Sequence, residues 1–190
     1  MPQATFLRRL PTRSTPLARS RGLTLVECAV TTAVVALAAG TALPGLTQMR
    51  TNQVLAQAAG GFETDVQHAR AMAVATREPW RIGFGNGTAG SCYVVYSGPA
   101  AGCSCNGAGQ AICTGGAEAY RIVPFHAGSV VSIQPNVSSI SFDPVKGTST
   151  PSGTARFIGQ NGAAVHQVVN IMGRVRSCSP AAKVPGFKAC

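Results

Sequence analysis

Three residue sets in this chain have types and spacings that can carry chemistry. The first is a group of cysteines. Cys92, Cys103, Cys105, Cys113, Cys178 and Cys190 lie well beyond an apolar run near the N-terminus, and a seventh, Cys28, sits inside that run, where it is read as inert. Cys103-Ser104-Cys105 with Cys113 lacks the Cys-x2-Cys repeat or the partnered histidine spacing of a zinc site. Disulfides are therefore expected, with no metal and no cofactor. Cys178 and Cys190 stand apart from the rest and are expected to pair. The other four leave three pairings open, and each would staple the glycine-rich stretch from Gly98 to Gly116. The second set, His68, His126 and His166, is scattered and has no serine or cysteine in a nucleophile motif. Gly107-Ala108-Gly109 reads as a loop. With no catalytic constellation, the chain reads as a non-enzyme.

The third set is Gly173-Arg174-Val175-Arg176-Ser177-Cys178. In a strand, Arg174 and Arg176 share one face about 6.6 Å apart, with Val175 turned to the core. Two guanidinium forks at that spacing suit successive phosphates of a nucleic-acid backbone. Gly173 allows a turn or a close approach. A Cys178–Cys190 loop would hold Lys183 and Lys188 nearby and widen the patch. The plainer alternative is a solvated edge strand whose charges prevent aggregation. Phe187 is the one aromatic residue near enough to stack on a base. Backbone contacts with little sequence preference are therefore expected.

The elements that must position these groups follow from charge and hydropathy. The 190 residues carry +10, unevenly spread. Arg8, Arg9, Arg13, Arg19 and Arg21 precede Gly22 without an acid; from Leu23 to Asp143 five arginines face six acids; beyond Asp143 there are six basic residues and no acid. Between Gly22 and Pro44 lies an apolar run of about 21 residues, long enough at 1.5 Å per residue to cross a bilayer of about 30 Å. Basic residues before the run and none close behind predict a cytoplasmic N-terminus. Its one charge, Glu27, is costly in hydrocarbon and calls for a partner.

Arg21-Gly22 followed by Leu23-Thr24-Leu25-Val26-Glu27, with Pro44 further on, resembles the processing site of type IV pilins and type II secretion pseudopilins. The resemblance implies that a prepilin peptidase cuts between Gly22 and Leu23 and methylates the new N-terminus. It also implies that Glu27 pairs with the N-terminal amine of a neighbouring subunit during filament assembly. Leu23 departs from the family's usual Phe. The expected organisation is a leader over 1–22, a transmembrane and assembly helix over 23–43, its amphipathic continuation over 44–78, and a β-rich head over 79–190.

In the continuation, Leu55, Ala58, Phe62, Val66, Ala69 and Ala73 recur at spacings of three and four, one apolar stripe for the head. Gly40, Pro44, Gly45 and Gly60-Gly61 are points where the helix can bend, and Glu78-Pro79 is its stop. Short strands are expected over 80–84, 92–97, 119–123, 130–133, 140–142, 155–158, 165–171 and 174–178. Gly85-Asn86-Gly87 and Gln160-Asn161-Gly162 read as hairpin turns. The fold class is α+β and pilin-like, a long N-terminal helix followed by a head of antiparallel sheets, similar to the GspH/FimT branch.

Gly-Arg-x-Arg near the C-terminus resembles the motif of FimT-type minor pilins, which bind DNA during natural transformation. Carried over, it implicates Arg174 and Arg176. The expected protein is a single-pass inner-membrane subunit with a periplasmic head that enters a pilus and captures extracellular DNA. Its partners are other pilin subunits, the prepilin peptidase, the inner membrane and DNA. The alternative is a GspH-type pseudopilin at the tip of a type II secretion filament. Leader, Glu27, helix and head suit both; the basic tail separates them.

Overall fold

The computed structural model describes residues 24–180 and 183–190, with backbone alone at 41–44. Gly22, Leu23 and the arginines before them lie outside the described residues. The described residues form one helix, α1 (Leu25–Thr76), and then eleven strands: β1 (Trp80–Gly87), β2 (Gly90–Ser97), β3 (Cys103–Cys105), β4 (Ala111–Cys113), β5 (Glu118–His126), β6 (Val131–Pro135), β7 (Ser139–Phe142), β8 (Ser149–Thr150), β9 (Gly153–Gly159), β10 (Ala164–Val169) and β11 (Val175–Cys178). The described residues divide into two compact units, one ending at Ala42 and the other over Leu43–Cys190.

In the first unit the helix starts on an N-cap. The Glu27 amide donates to Thr24 Oγ1 at 3.2 Å, and the Cys28 amide donates to the Thr24 carbonyl. Thr24 is thus the Ncap and Glu27 stands at N3, the position of the acid in a capping box. Leu25, Val26, Val30, Val34, Val35 and Leu37 are exposed. Thr31 and Thr32 donate their hydroxyls to the Cys28 carbonyl one turn back, so neither disturbs an apolar surface. The stretch has a mean hydropathy of 1.8, and α1 is long and apolar enough to cross a membrane.

In the second unit α1 continues through Gly45, Gly60 and Gly61 without a break and ends at Thr76. Arg77 follows at φ 59°, a left-handed residue that closes the helix before Pro79. The stripe turned to the head is Leu55, Ala59, Phe62, Val66, Ala69 and Ala73, each fully buried. Ala59 takes the place expected for Ala58, which is half-buried. The spacing is then a strict alternation of four and three, the track of one helical face.

The stripe packs on two antiparallel sheets, ordered β5-β2-β1-β7-β8 and β11-β10-β9-β6. Phe62 stands at the centre, with ring centroids 5.3 Å from Tyr93 of β2 and 5.6 Å from Phe157 of β9. Several polar groups in this core are paired, although His68 Nε2 and Tyr96 Oη are buried without a hydrogen-bond partner among the described residues. Tyr93 donates its hydroxyl to Asp65 at 2.7 Å, and Arg121 of β5 reaches the same carboxylate at 3.0 Å. Burial, and then the Asp65 charge, push the Tyr93 phenol far above its ordinary value. Gln167 of β10 donates to the Ala59 carbonyl at 2.9 Å, fastening the second sheet to the helix.

Besides the short β8, where no strand is expected, two further features depart from the sequence-based expectation. Gly85-Asn86-Gly87 is strand, not turn: β1 runs to Gly87, which pairs with Gly90, and the turn is Thr88-Ala89. Gly85 is needed because the β3–β4 hairpin crosses β1 there; a Cβ on it would strike the Cys105 carbonyl and stand 2.8 Å from Cys92 Sγ. That hairpin is the second departure. Its two strands of three residues are held by Cys92–Cys105 and Cys103–Cys113, which resolve the three pairings left open. Gln160-Asn161-Gly162 does form the β9–β10 turn, closed by Gly159 and Ala163.

Candidate functional site

β11 is the edge strand of the four-stranded sheet, paired on one side with β10. The turn before it is built by Asn170, whose Oδ1 accepts from the amides of Met172 and Arg174 at 3.0 Å each. Gly173 has φ 70°, and a Cβ there would lie 2.9 Å from Arg70 Cδ and 2.9 Å from the Gly147 carbonyl. The glycine of Gly-Arg-x-Arg is therefore required by packing against α1, independently of any ligand.

Beyond that turn Arg174 and Arg176 are both exposed, while Val175 is half-buried against the core. Cys178 pairs with Cys190, Cα atoms 4.9 Å apart, as the isolated positions of the two cysteines imply. The tail is held by more than this bond. The Ser179 amide donates to the Lys188 carbonyl at 2.8 Å, Ser179 Oγ donates to the Ala164 carbonyl at 2.8 Å, and Val184 is buried. Arg176 and Lys188 consequently line one hollow of about 590 Å³ together with Val168. Lys183 is elsewhere. It lines a separate hollow of about 510 Å³ beside Met49, Asn52 and Gln53 of α1.

The face of the sheet turned away from α1 holds residues that the linear sequence does not group. Val168 is opposite Arg176 on one side and Thr154 on the other; His166 is opposite Cys178 on one side and Arg156 on the other. Arg156 is exposed and His166 half-buried. Burial, and next the charge of Arg156, hold His166 below the ordinary histidine value. His166 Nδ1 lies 3.8 Å from Cys190 Sγ. His166, Cys178 and Cys190 have donor atoms within 4.8 Å of one another. With both sulfurs joined to each other, they present no thiolate pair to a metal. The strand alternation in 155–158 was the one signal that could have exposed Arg156; its neighbours across the sheet have no local signal.

Comparison with known proteins places this architecture. The sequence pattern described as type II transport protein GspH matches residues 58–173. That stretch ends at Gly173, so Arg174, Arg176, Lys188 and the disulfide-closed tail lie beyond it. No curated protein matches the chain. Among solved structures, the type IV minor pilin FimU of Pseudomonas aeruginosa is similar at a TM-score of 0.50 and 17% identity, over 71% of this chain and 95% of that chain. A second crystal form of FimU gives a TM-score of 0.46 and 21% identity, over 70% and 98%. The first of these likenesses shows the pilin fold: a long N-terminal helix followed by a head of antiparallel sheets. With more than half of its length matching the pattern, the chain belongs to the GspH family of pilin-like proteins and pseudopilins.

Proposed function

We propose that this chain is a FimT-type minor pilin that joins a type IV pilus and captures extracellular duplex DNA for uptake. The carrying observation is the β11 edge, where Arg174 and Arg176 are exposed and the folded tail brings Lys188 into the hollow that Arg176 lines. Three cations on one edge outweigh the one carboxylate beside it, Glu63 of α1 at 3.4 Å from Ser177 Oγ, and give a local field that attracts a polyanion. Guanidinium groups suit phosphate because their forks donate in a plane. The proposal rests on these three residues; Lys183, turned to its own hollow, is given no part.

The same proposal includes maturation and assembly. A prepilin peptidase cuts between Gly22 and Leu23, the helix from 23 to 43 crosses the inner membrane with the head in the periplasm, and Glu27 accepts a neighbouring subunit's amine. A structural pseudopilin of a type II secretion filament is the second reading, favoured by the description of the matching family.

Titration of the full chain in a zwitterionic detergent with labelled duplexes of unrelated sequence tests the DNA reading. Saturable binding of equal strength to each duplex is expected, with log K falling linearly in log salt. The three contacts of Arg174, Arg176 and Lys188 give a slope of about −2.7, and any further phosphate contact makes it steeper. Failure to bind at low salt would sink the DNA reading and leave the secretion filament.

A further inference from the structure

We infer that the phosphate-binding surface continues past the β11 edge, across the exposed face of the four-stranded sheet, to Arg156, which contacts a separate phosphate of the same DNA. The inference rests on the reading of β11 as a DNA contact and extends it to a residue 20 positions away from Arg176 in the sequence.

The ladder registers bring the two arginines to one face. Arg176 pairs with Val168, and Arg156 pairs with His166, two residues along β10. Successive side chains of a strand alternate between faces, so Arg176, Val168, His166, Thr154 and Arg156 all turn away from α1. Two strand spacings across and two residues along put the Cα atoms of Arg156 and Arg176 about 12 Å apart. Forks so separated contact different phosphates, so Arg156 adds a contact of its own and does not share that of Arg176.

The face between them is bordered by two hollows, neither of which Arg156 or His166 lines. The hollow holding Arg176 and Lys188 has Val168 in its wall, and so does a second hollow of about 310 Å³ lined by Thr154, Asn136 and Asn170. Val168 is thus shared by two adjoining depressions that cross the strands, and Arg156 stands two residues beyond Thr154 on β9. The charge is of one sign. β6, β9, β10 and β11 contain no acidic residue, and among the described residues no carboxylate pairs with Arg156. His166, between the arginines and held toward its neutral form, offers a ring nitrogen to an anion without adding to the repulsion of the cations around it. A strip of sheet whose own strands carry no acid, with cations at both ends, complements a phosphodiester chain.

The test compares Arg156→Gln, Arg156→Lys, Arg174→Gln and Arg50→Gln with the unaltered full chain, using a labelled duplex over a range of salt. Arg50 is exposed on α1, the helix that packs the sheet's other face. Arg156→Gln is expected to weaken binding about fivefold at physiological salt and to make the slope of log K against log salt shallower by about 0.9. Arg156→Lys should restore the slope, and Arg50→Gln should change neither quantity. Thermal midpoints equal to that of the parent will separate lost contact from lost fold. If Arg174→Gln lowers affinity and slope while Arg156→Gln leaves both intact, the surface ends at β11 and the inference fails, with the DNA reading still standing. Equal losses in all three Gln variants would mean diffuse charge attraction and overturn both. An effect of Arg156→Gln seen with anionic phospholipid vesicles and not with the duplex would overturn the inference alone.

Discussion

Phe62→Ala is expected to destabilise the Leu43–Cys190 unit by about 3–5 kcal/mol, the usual cost of emptying a large aromatic site. Phe62 is fully buried and touches both sheets, through Tyr93 on one and Phe157 on the other. Its removal takes away the one ring that joins helix to both layers. Neighbouring aromatic rings are rigid and refill the cavity poorly. Denaturant titration followed by emission of Trp80, the single tryptophan and itself buried, measures the effect. Val54→Ala, on the same helix but 42% exposed, should cost less than about 1 kcal/mol. Similar midpoints for the two variants would show that the core is not centred on Phe62.

Glu27→Ala is expected to reduce incorporation into filaments by more than about tenfold, because a neighbour's amine would be left in hydrocarbon without a counter-charge. The place of Glu27 at N3, where a side chain can reach back to the Ncap amide, supplies a second explanation for the same acid, and Glu27→Gln separates the two. Glutamine serves a capping box as well as glutamate does but carries no charge. If charge pairing is the reason for Glu27, Gln fails like Ala. If capping is the reason, Gln assembles normally and Thr24→Ala fails. Immunoblots of sheared filaments against total membrane protein read the outcome.

The parts of the fold governed by local pattern could be read from the sequence. The stripe on α1 needs only a period of 3.6, and its single error, Ala58 for Ala59, arose where neighbouring alanines fit the spacing almost equally. The β9–β10 turn needs only Gln160-Asn161-Gly162. Gly85-Asn86-Gly87 carries the same local signal and is not a turn, because a hairpin from 20 residues further on lies against Gly85. No short-range rule sees that contact. The hairpin itself escaped notice since strands of three residues have no alternation to detect, and disulfides supply the order that pattern does not. At the site, Arg174 and Arg176 announce themselves by adjacency. Arg156 and His166 join them only through the registers of β9, β10 and β11, which depend on the packing of Gln167 and Phe157 beneath the sheet.

The central claim is that the β11 edge of a GspH-family head captures DNA. Its most direct test is the amount of labelled duplex DNA retained by intact cells whose only copy of this chain carries both Arg174→Gln and Arg176→Gln. Two lost phosphate contacts correspond to about thirtyfold weaker binding at physiological salt. The account predicts DNA capture near background, with the variant present in sheared filaments at the parental level. Parental DNA capture by cells bearing the double variant would contradict it, and a fall in secreted protein in those cells would assign the chain to a secretion filament instead.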